Sequence, residues 1–388
     1  MLALPGEAAA AELLGDPGGQ RSRLERLGII LQLFYNQFLS WKPEGGGANP
    51  DGVLGHNGSY DFFARVDLDE LVSWPGADFL LHVKGQYERN VNEDVGALSD
   101  PIDDADFDAP IYIGELSLQQ AFLENRLRFR LGYMQQQTLF DRNAYANSED
   151  RQFMTAFLDN NAVVPLPSGL GAFALVKPLP WLEIALGAAD ADNLPREAGF
   201  DTAFDGIDSV TGYLELTLRA PWWEEGLPGS YRFGAFVDGR DLLHFRTGRR
   251  DRGHVGAFLS FDQRVFRERP GSPESAEGLG LFARGGYADP DVNRIAWFWS
   301  AGLQYEGLLP LRSADRLGFG VYQAIGSGVY RDTIDPDFER ETGLELYYRI
   351  AAFRGIAITP DFQYIIDPGA TGASDDAIVA TLRLRVSF

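Results

Sequence analysis

The chain has 388 residues, 34 basic and 56 acidic side chains, a formal net charge of −22, and no cysteine. Such an acidic excess disfavours a nucleic-acid partner, because phosphate binding wants clustered Lys and Arg. The lack of Cys excludes disulfides, thiolate metal sites and a Cys nucleophile. What the composition favours is glycine and aromatic character, with 44 Gly, 27 Phe, 15 Tyr and 7 Trp.

No apolar run approaches the roughly 18 residues of a transmembrane helix. The longest candidate, Ile29–Trp41, is interrupted by Gln32, Asn36, Gln37 and Ser40. Met1–Glu12 carries no Lys or Arg, so it lacks the basic start of a secretory signal. A signal peptide is therefore expected to be absent from this sequence, either removed or lying upstream. Residues 1–27 read as a periplasmic tail or a short helix, and 28–388 as one barrel domain.

From residue 28 onward the hydrophobic pattern has period two, the period of a strand whose successive side chains point to opposite faces. At 58–71, Phe62, Ala64, Val66 and Leu68 oppose Asp61, Phe63, Arg65, Asp67 and Asp69. At 78–92, Phe79, Leu81, Val83 and Tyr87 oppose His82, Lys84, Gln86 and Glu88. At 111–123, Leu116, Leu118 and Phe122 oppose Glu115, Ser117 and Gln119. At 126–137, Leu127, Phe129, Leu131 and Tyr133 oppose Arg126, Arg128 and Arg130. Later strands repeat this: Leu344, Leu346, Tyr348 and Ile350 against Glu345, Tyr347 and Arg349, and Ile356, Ile358, Phe362, Tyr364 and Ile366 against Thr359, Asp361 and Gln363. The last segment sets Leu382, Leu384, Val386 and Phe388 against Thr381, Arg383, Arg385 and Ser387.

Sixteen such segments are expected, at 28–41, 58–71, 78–92, 111–123, 126–137, 168–177, 181–190, 210–219, 230–240, 253–264, 279–288, 294–306, 316–327, 340–352, 355–367 and 376–388. A soluble sandwich would have to bury the charged set against a second sheet, which unpaired charges do not tolerate. A closed barrel in lipid turns the apolar set to the acyl chains and the polar set to a water-filled lumen. Long and short connections alternate, so the fold class is all-β: a 16-stranded antiparallel transmembrane outer-membrane β-barrel with short periplasmic turns and long extracellular loops. Trp41, Trp74, Trp181, Trp222, Trp223, Trp297 and Trp299 fall at or near strand ends, where amphipathic rings favour the headgroup level.

The inferred inner wall mixes signs: Arg65, Asp67, Lys84, Glu88, Glu115, Arg128, Arg130, Glu345, Arg349, Asp361, Arg383 and Arg385, with amides from Gln32, Asn36, Gln86, Gln119 and Gln363. An anion pore should show a ring of one sign. Mixed forks, carboxylates and amides suit neutral polyols, whose hydroxyls both donate and accept. The inward rings Phe34, Phe63, Tyr213, Phe236, Phe258 and Tyr347 are candidates to meet the C–H faces of a sugar. The alternative is that the charges simply pair across the wall and keep the pore wet. Arg128, Arg130, Arg383 and Arg385, opposite Glu115 and Asp67, are the expected polar track.

Loop 93–110 is rich in Asp and lacks basic residues, but Asp103–Asp108 has neither the sixth-position Gly nor the distal Glu of a calcium loop. It reads as a solvated extracellular face. Loop 138–167 is long and carries Phe153, Met154, Phe157 and Leu158, and is expected to fold into the mouth and narrow the lumen. The four His show no paired metal spacing, and no nucleophile elbow, zinc-protease motif or phosphate loop is present. No catalytic residue, metal or cofactor is expected.

The sequence resembles the carbohydrate-selective porins of the OprB family. The likeness is carried by Gly278–Pro290 (GLGLFARGGYADP), Gly302–Pro310 (GLQYEGLLP), Asp315–Val321 (DRLGFGV), Glu341–Tyr348 (ETGLELYY), Pro360–Gly369 (PDFQYIIDPG) and Trp74–Ala77 (WPGA). It spans 58–388, is strongest from 277 onward, and does not reach residues 1–57 or loop 138–167. The resemblance implies passive diffusion of mono- and disaccharides in a Gram-negative outer membrane, with partners limited to lipid, small carbohydrates and the barrel-assembly machinery that reads the terminal Phe388. The rival readings are a non-selective diffusion porin and a loop-plugged structural or binding barrel. Either a monomer or a trimer suits a barrel of this size.

Overall fold

The computed structural model describes residues 13–47, 51–166, 168–191, 209–219, 227–269, 271–272 and 275–388. Its strands are β1 (Ile29–Lys42), β2 (Val53–Asp67), β3 (Ala77–Tyr87), β4 (Ala109–Phe122), β5 (Leu127–Gln135), β6 (Ser168–Leu179), β7 (Leu182–Asp190), β8 (Val210–Arg219) and β9 (Gly229–Asp238). A small hairpin, β10 (Leu242–Leu243) with β11 (Arg250–Asp251), decorates the next loop. The chain continues through β12 (His254–Arg267), β13 (Gly278–Ala288), β14 (Ile295–Glu306), β15 (Arg316–Gly326), β16 (Arg340–Phe353), β17 (Ile356–Ile366) and β18 (Ala377–Ser387).

Apart from the β10–β11 hairpin, these strands form one closed barrel of sixteen, each antiparallel to its neighbours. The first strand closes on the last, in a register running from Phe34↔Ser387 to Trp41↔Ala380. Closure pairs the two ladders that an open sheet would expose, which is what lets a sheet live in hydrocarbon. The short turns gather at one end. Residues 354–355 reverse the chain between β16 and β17 with Gly355 at φ +70°, where a Cβ would sit 2.6 Å from the Ser387 carbonyl oxygen. The first described residues and the C-terminus lie at this end: Leu13 N donates to Ser387 O (2.8 Å), and Arg21 Nη2, on helix α1 (Gln20–Glu25), donates to Phe388 O (3.1 Å).

The alternation sorts as the period-two pattern requires. In β18, Val379, Thr381, Arg383 and Arg385 are buried in the interior, and Leu382 is exposed on the outer wall. Phe129, Leu131, Leu214, Phe233, Leu259, Phe319, Leu346 and Phe362 share that outer wall. Trp41, Trp297 and Trp299 are exposed toward the long-loop end, and Trp74 and Trp181 toward the short-turn end. Trp222 and Trp223 lie outside the described residues.

Two strand ends depart from the pattern. The segment expected at 58–71 runs from Val53 to Asp67, because the Asp67 carboxylate caps α2 (Leu68–Val72), accepting from Asp69 N and Glu70 N. Apolar alternation continues past Asp67, but the cap turns the chain into a helix. The segment expected at 78–92 stops at Tyr87, after register shifts against β4 at His82/Val83 and Lys84/Gln86.

Leu382, mid-strand and outward, sets the first prediction. Leu382→Arg should destabilise the folded barrel in bilayers by about 2–4 kcal/mol, measured by denaturant unfolding in lipid vesicles. A cost below half a kcal/mol would mean that this face does not meet acyl chains.

Candidate functional site

Two of the long loops turn inward and divide the lumen. Loop 136–166, between β5 and β6, packs an apolar cluster against one side of the barrel. Phe140 stacks on Tyr213 (centroids 4.8 Å apart), Phe153 meets Tyr347 edge-on at 5.0 Å, and Phe157 meets Phe298 and Tyr322 at 5.7 and 5.5 Å. Phe236, Phe258 and Phe282 belong to the same cluster. Polar sockets fix the loop backbone. Glu345 accepts from Met154 N (2.6 Å) and Thr155 N (3.0 Å), and Glu215 accepts from Asp141 N (2.8 Å). Arg383 donates to Glu149 O (2.6 Å) and Gln152 O (3.0 Å), and Arg385 pairs with Asp150 (3.0 Å). Arg284, fully buried, pairs with Asp141 (3.0 Å) and donates to Leu158 O (2.8 Å).

Loop 88–108, between β3 and β4, also folds inward. The expectation of a solvated acidic face holds only in part: Glu93, Asp100, Asp106 and Asp108 are exposed, but Val95, Ile102 and Asp104 are buried. Asp104 Oδ2 accepts from Ser59 Oγ (2.6 Å) and Asn36 Nδ2 (3.2 Å), and its Oδ1 pairs with Lys84 Nζ (2.8 Å). Leu98 N and Ser99 N donate to Glu341, and Gln363 Nε2 donates to Pro101 O at 2.8 Å. The wall therefore supplies the donors and the cation that solvent would otherwise provide, and burial of Val95 and Ile102 adds apolar stabilisation. The loops also bind each other, through Asp103 N to Met154 O (2.9 Å), Ala156 N to Asp100 O (2.9 Å) and Asn160 Nδ2 to Asp103 Oδ2 (2.7 Å).

One cavity, of about 130 Å³, lies against β1–β5, lined by Gln32, Phe34, Asp61, Phe63, His82, Lys84 and Arg385 from the wall and by Asn147–Arg151 and Asp159 from the loop; a second, of about 210 Å³, lies beside Ala162–Pro165 of the same loop, at Phe236, Asp238, Arg240 and His254. Phe63 and His82 are direct cross-strand partners and stack face to face, 4.0 Å apart and within 7° of parallel. Phe34 meets Phe63 edge-on at 6.1 Å, and the Arg385 guanidinium lies 4.2 Å from the Phe34 centroid. Asp61 Oδ1 holds His82 Nε2 at 2.8 Å. Toward the short-turn end follow the Arg130–Glu115 pair, the Arg65–Asp78 pair (2.6 Å), Gln119 and Arg128. Arg128 Nε is buried without a hydrogen-bond partner among the described residues.

The sequence-predicted residues thus separate by role. Arg65, Lys84, Glu115, Gln119, Arg128 and Arg130 face the open side. Glu345 and Arg383 are committed to holding the loop, and Asp361 accepts from Gln363 Nε2 (3.0 Å) beside them; Arg385 serves both loop and cavity. Tyr213, Phe258 and Tyr347, considered as sugar platforms, are sealed beneath loop 136–166 instead, while Phe236, packed in the same cluster, lines the second cavity. Asp67 is a helix cap at the short-turn end and so does not stand opposite the Arg track; Glu88 lies just past β3, where its N donates to Asp108 Oδ1 (2.7 Å). Arg349 faces Arg316 across β15–β16. Asp61, Asp78, His82 and Asp150 were not singled out as site residues. The inward parity of Asp61 and His82 was readable in the sequence, but their pairing depended on register.

A closed barrel with an apolar outside, aromatic rims and a lumen narrowed by inward loops defines an outer-membrane porin. The model of the "Carbohydrate-selective porin, OprB family" matches residues 54–388. Porin B of Pseudomonas aeruginosa is 22% identical over 427 aligned positions, covering 97% of this chain and 91% of that one. Putative porin QuiX of Acinetobacter baylyi is 22% identical, covering 97% and 93%. Among solved structures, the high-pH form of Pseudomonas putida OprB superposes with a TM-score of 0.83 at 21% identity, covering 98% of this chain and all of that one. The low-pH form gives 0.65 at 18% identity, covering 99% and 100%. The chain belongs to the OprB family of carbohydrate-selective porins, proteins of the bacterial outer membrane.

Loop docking carries a pH dependence of definite sign. Burial would raise the Asp150 carboxyl, but Arg385 and Arg151 outweigh it and hold the group far below the ordinary carboxylate range. A depressed carboxyl contributes stability above its unfolded pKa of about 4, and that contribution is lost as pH falls. Asp150→Asn should therefore raise single-channel conductance or flicker at neutral pH, and wild type should approach that behaviour only as the bath is acidified below about pH 4. Identical traces for variant and wild type at pH 7 would show that the Arg385–Asp150 pair does not hold the constriction.

Proposed function

We propose that selection for carbohydrate takes place in the cavity between β1–β5 and loop 136–166, and that small neutral mono- and disaccharides are the solutes selected. The observation that carries this reading is the Phe63–His82 shelf, stacked at 4.0 Å and edged by Phe34. A ring of C–H bonds lies well on such a face, while its equatorial hydroxyls reach Asp61, Lys84, Gln32 and Arg385 around the rim. Each of those groups offers donors or acceptors of the kind a hydroxyl exchanges. Because the lumen charges are largely matched by opposite charges nearby, a neutral solute crosses them without the penalty that one excess sign would impose on an ion.

From the shelf the path descends past Glu115–Arg130 and Arg65–Asp78 to Arg128. Contacts of this strength replace part of the sugar's hydration and release it again, so the step is passive diffusion with no bond made or broken and no cofactor. Of the tail expected at 1–27, residues 13–27 then form a periplasmic segment seated on the short-turn end, residues 1–12 lying outside the described residues, and Phe388 is the terminal residue presented to the assembly machinery.

Liposome swelling with glucose, maltose and amino acids of matched size tests the reading. Wild type should admit glucose faster than the matched amino acids. Phe63→Ala should cut that preference roughly fivefold, the equivalent of about 1 kcal/mol of ring contact. Equal rates for all solutes of one size, unchanged by the substitution, would instead describe a general diffusion pore.

A further inference from the structure

Three carboxylates meet where the two inward loops touch. Asp103 comes from loop 88–108, Glu149 and Asp159 from loop 136–166, and one oxygen of each lies within 4.8 Å of the others. Asp159 is 2% exposed, and its Oδ1 is buried without a hydrogen-bond partner among the described residues. The contacts that serve its neighbours do not reach it: Lys84 Nζ lies 3.0 Å from Glu149 Oε1 and is shared with Asp104, and Asn160 Nδ2 donates to Asp103 Oδ2. Glu149 and Asp159 line the cavity, so the group is open to whatever fills the lumen.

We propose that Asp103, Glu149 and Asp159 bind one divalent cation of calcium's size, which clasps the two loops together beside the sugar path. The donors are all hard oxygens, with no nitrogen or sulfur among them, which suits Ca²⁺ or Mg²⁺ over a transition metal. Ca²⁺ accepts six to eight oxygens at about 2.3–2.6 Å in adaptable geometry, while Mg²⁺ demands an octahedron at about 2.0–2.1 Å. Two oxygens on one Ca²⁺ can therefore stand almost as far apart as these do, and only small closing shifts are needed. Remaining positions are filled by water from the lumen. The sequence of loop 88–108 lacks an EF-hand because its partners come from the other loop, some fifty residues on.

The charge balance favours such an ion. Three carboxylates converge, while Lys84, which pairs with Glu149, is shared with Asp104. A cation must displace protons from carboxylates, so its binding and its effect on stability grow with pH.

The test uses the full chain, chelator-stripped in detergent, with ⁴⁵Ca²⁺ equilibrium dialysis and thermal unfolding at pH 6 and pH 8.5. The expected result is one saturable Ca²⁺ per chain, lost in Asp159→Asn and weakened at least about tenfold in Glu149→Gln. Ca²⁺ should also raise the Tm of wild type, more at pH 8.5 than at pH 6. Equal binding by wild type and both variants, or no saturable binding to wild type at millimolar Ca²⁺, would overturn the site and leave protons and Lys84 as the carboxylates' compensation. Should Asp159→Asn fail to fold, wild type and Glu149→Gln still decide. The Phe63–His82 shelf supplies none of the ligands, so failure here leaves the sugar reading standing.

Discussion

An unpaired peptide group in hydrocarbon costs several kcal/mol, and much of this molecule follows from meeting that cost everywhere at once. A strand in lipid must have a neighbour on both sides, so the sheet closes, β1 on β18. Closure makes every strand two-faced, one face to acyl chains and one to the lumen. It also fixes which residues can meet: once the register is set, Phe63 must face His82, and His82 must face Glu115. The shelf and the ion pair below it are consequences of ladder pairing before they are features of a transport path.

The second consequence concerns space. A ring of sixteen strands encloses more volume than inward side chains can fill, and this chain reduces that volume with its own loops. Loop 136–166 does so as a small domain core would, with rings in contact and backbone amides seated on buried carboxylates. Charges on the wall thereby acquire two different roles. Glu345, Glu215 and Arg383 satisfy loop backbone, while Arg65, Lys84, Arg128 and Arg130 remain beside the open side. The proposed passage is asymmetric, hugging β1–β5, with the apolar cluster of loop 136–166 filling much of the opposite side.

Strand parity made the barrel readable from residues alone: Leu382 against Arg383, Leu346 against Glu345 and Phe129 against Arg130 are written in alternating positions. Strand ends were less legible where local chemistry overrides parity, as at Asp67, whose cap turns an apparently continuing strand into a helix. The interior was least legible. Sequence placed Tyr213, Phe236, Phe258 and Tyr347 inward and could go no further, since whether an inward ring meets solute or loop depends on contacts across fifty to two hundred residues. Loop 88–108 was half legible for the same reason. Asp104 reads as solvated until Asn36, Ser59 and Lys84, on three different strands, are brought around it.

The absence of cysteine gives direct access to the central claim, that the passage runs along β1–β5 and not through the middle of the barrel. Single cysteines at Gln32 on the open wall and at Tyr347, fully buried against Phe153 of the loop, can be treated with a charged methanethiosulfonate reagent while current is recorded through one channel. The account predicts rapid block at Gln32→Cys and no reaction at Tyr347→Cys. Rapid block at Tyr347→Cys with an inert Gln32→Cys would place the passage on the opposite side and contradict it.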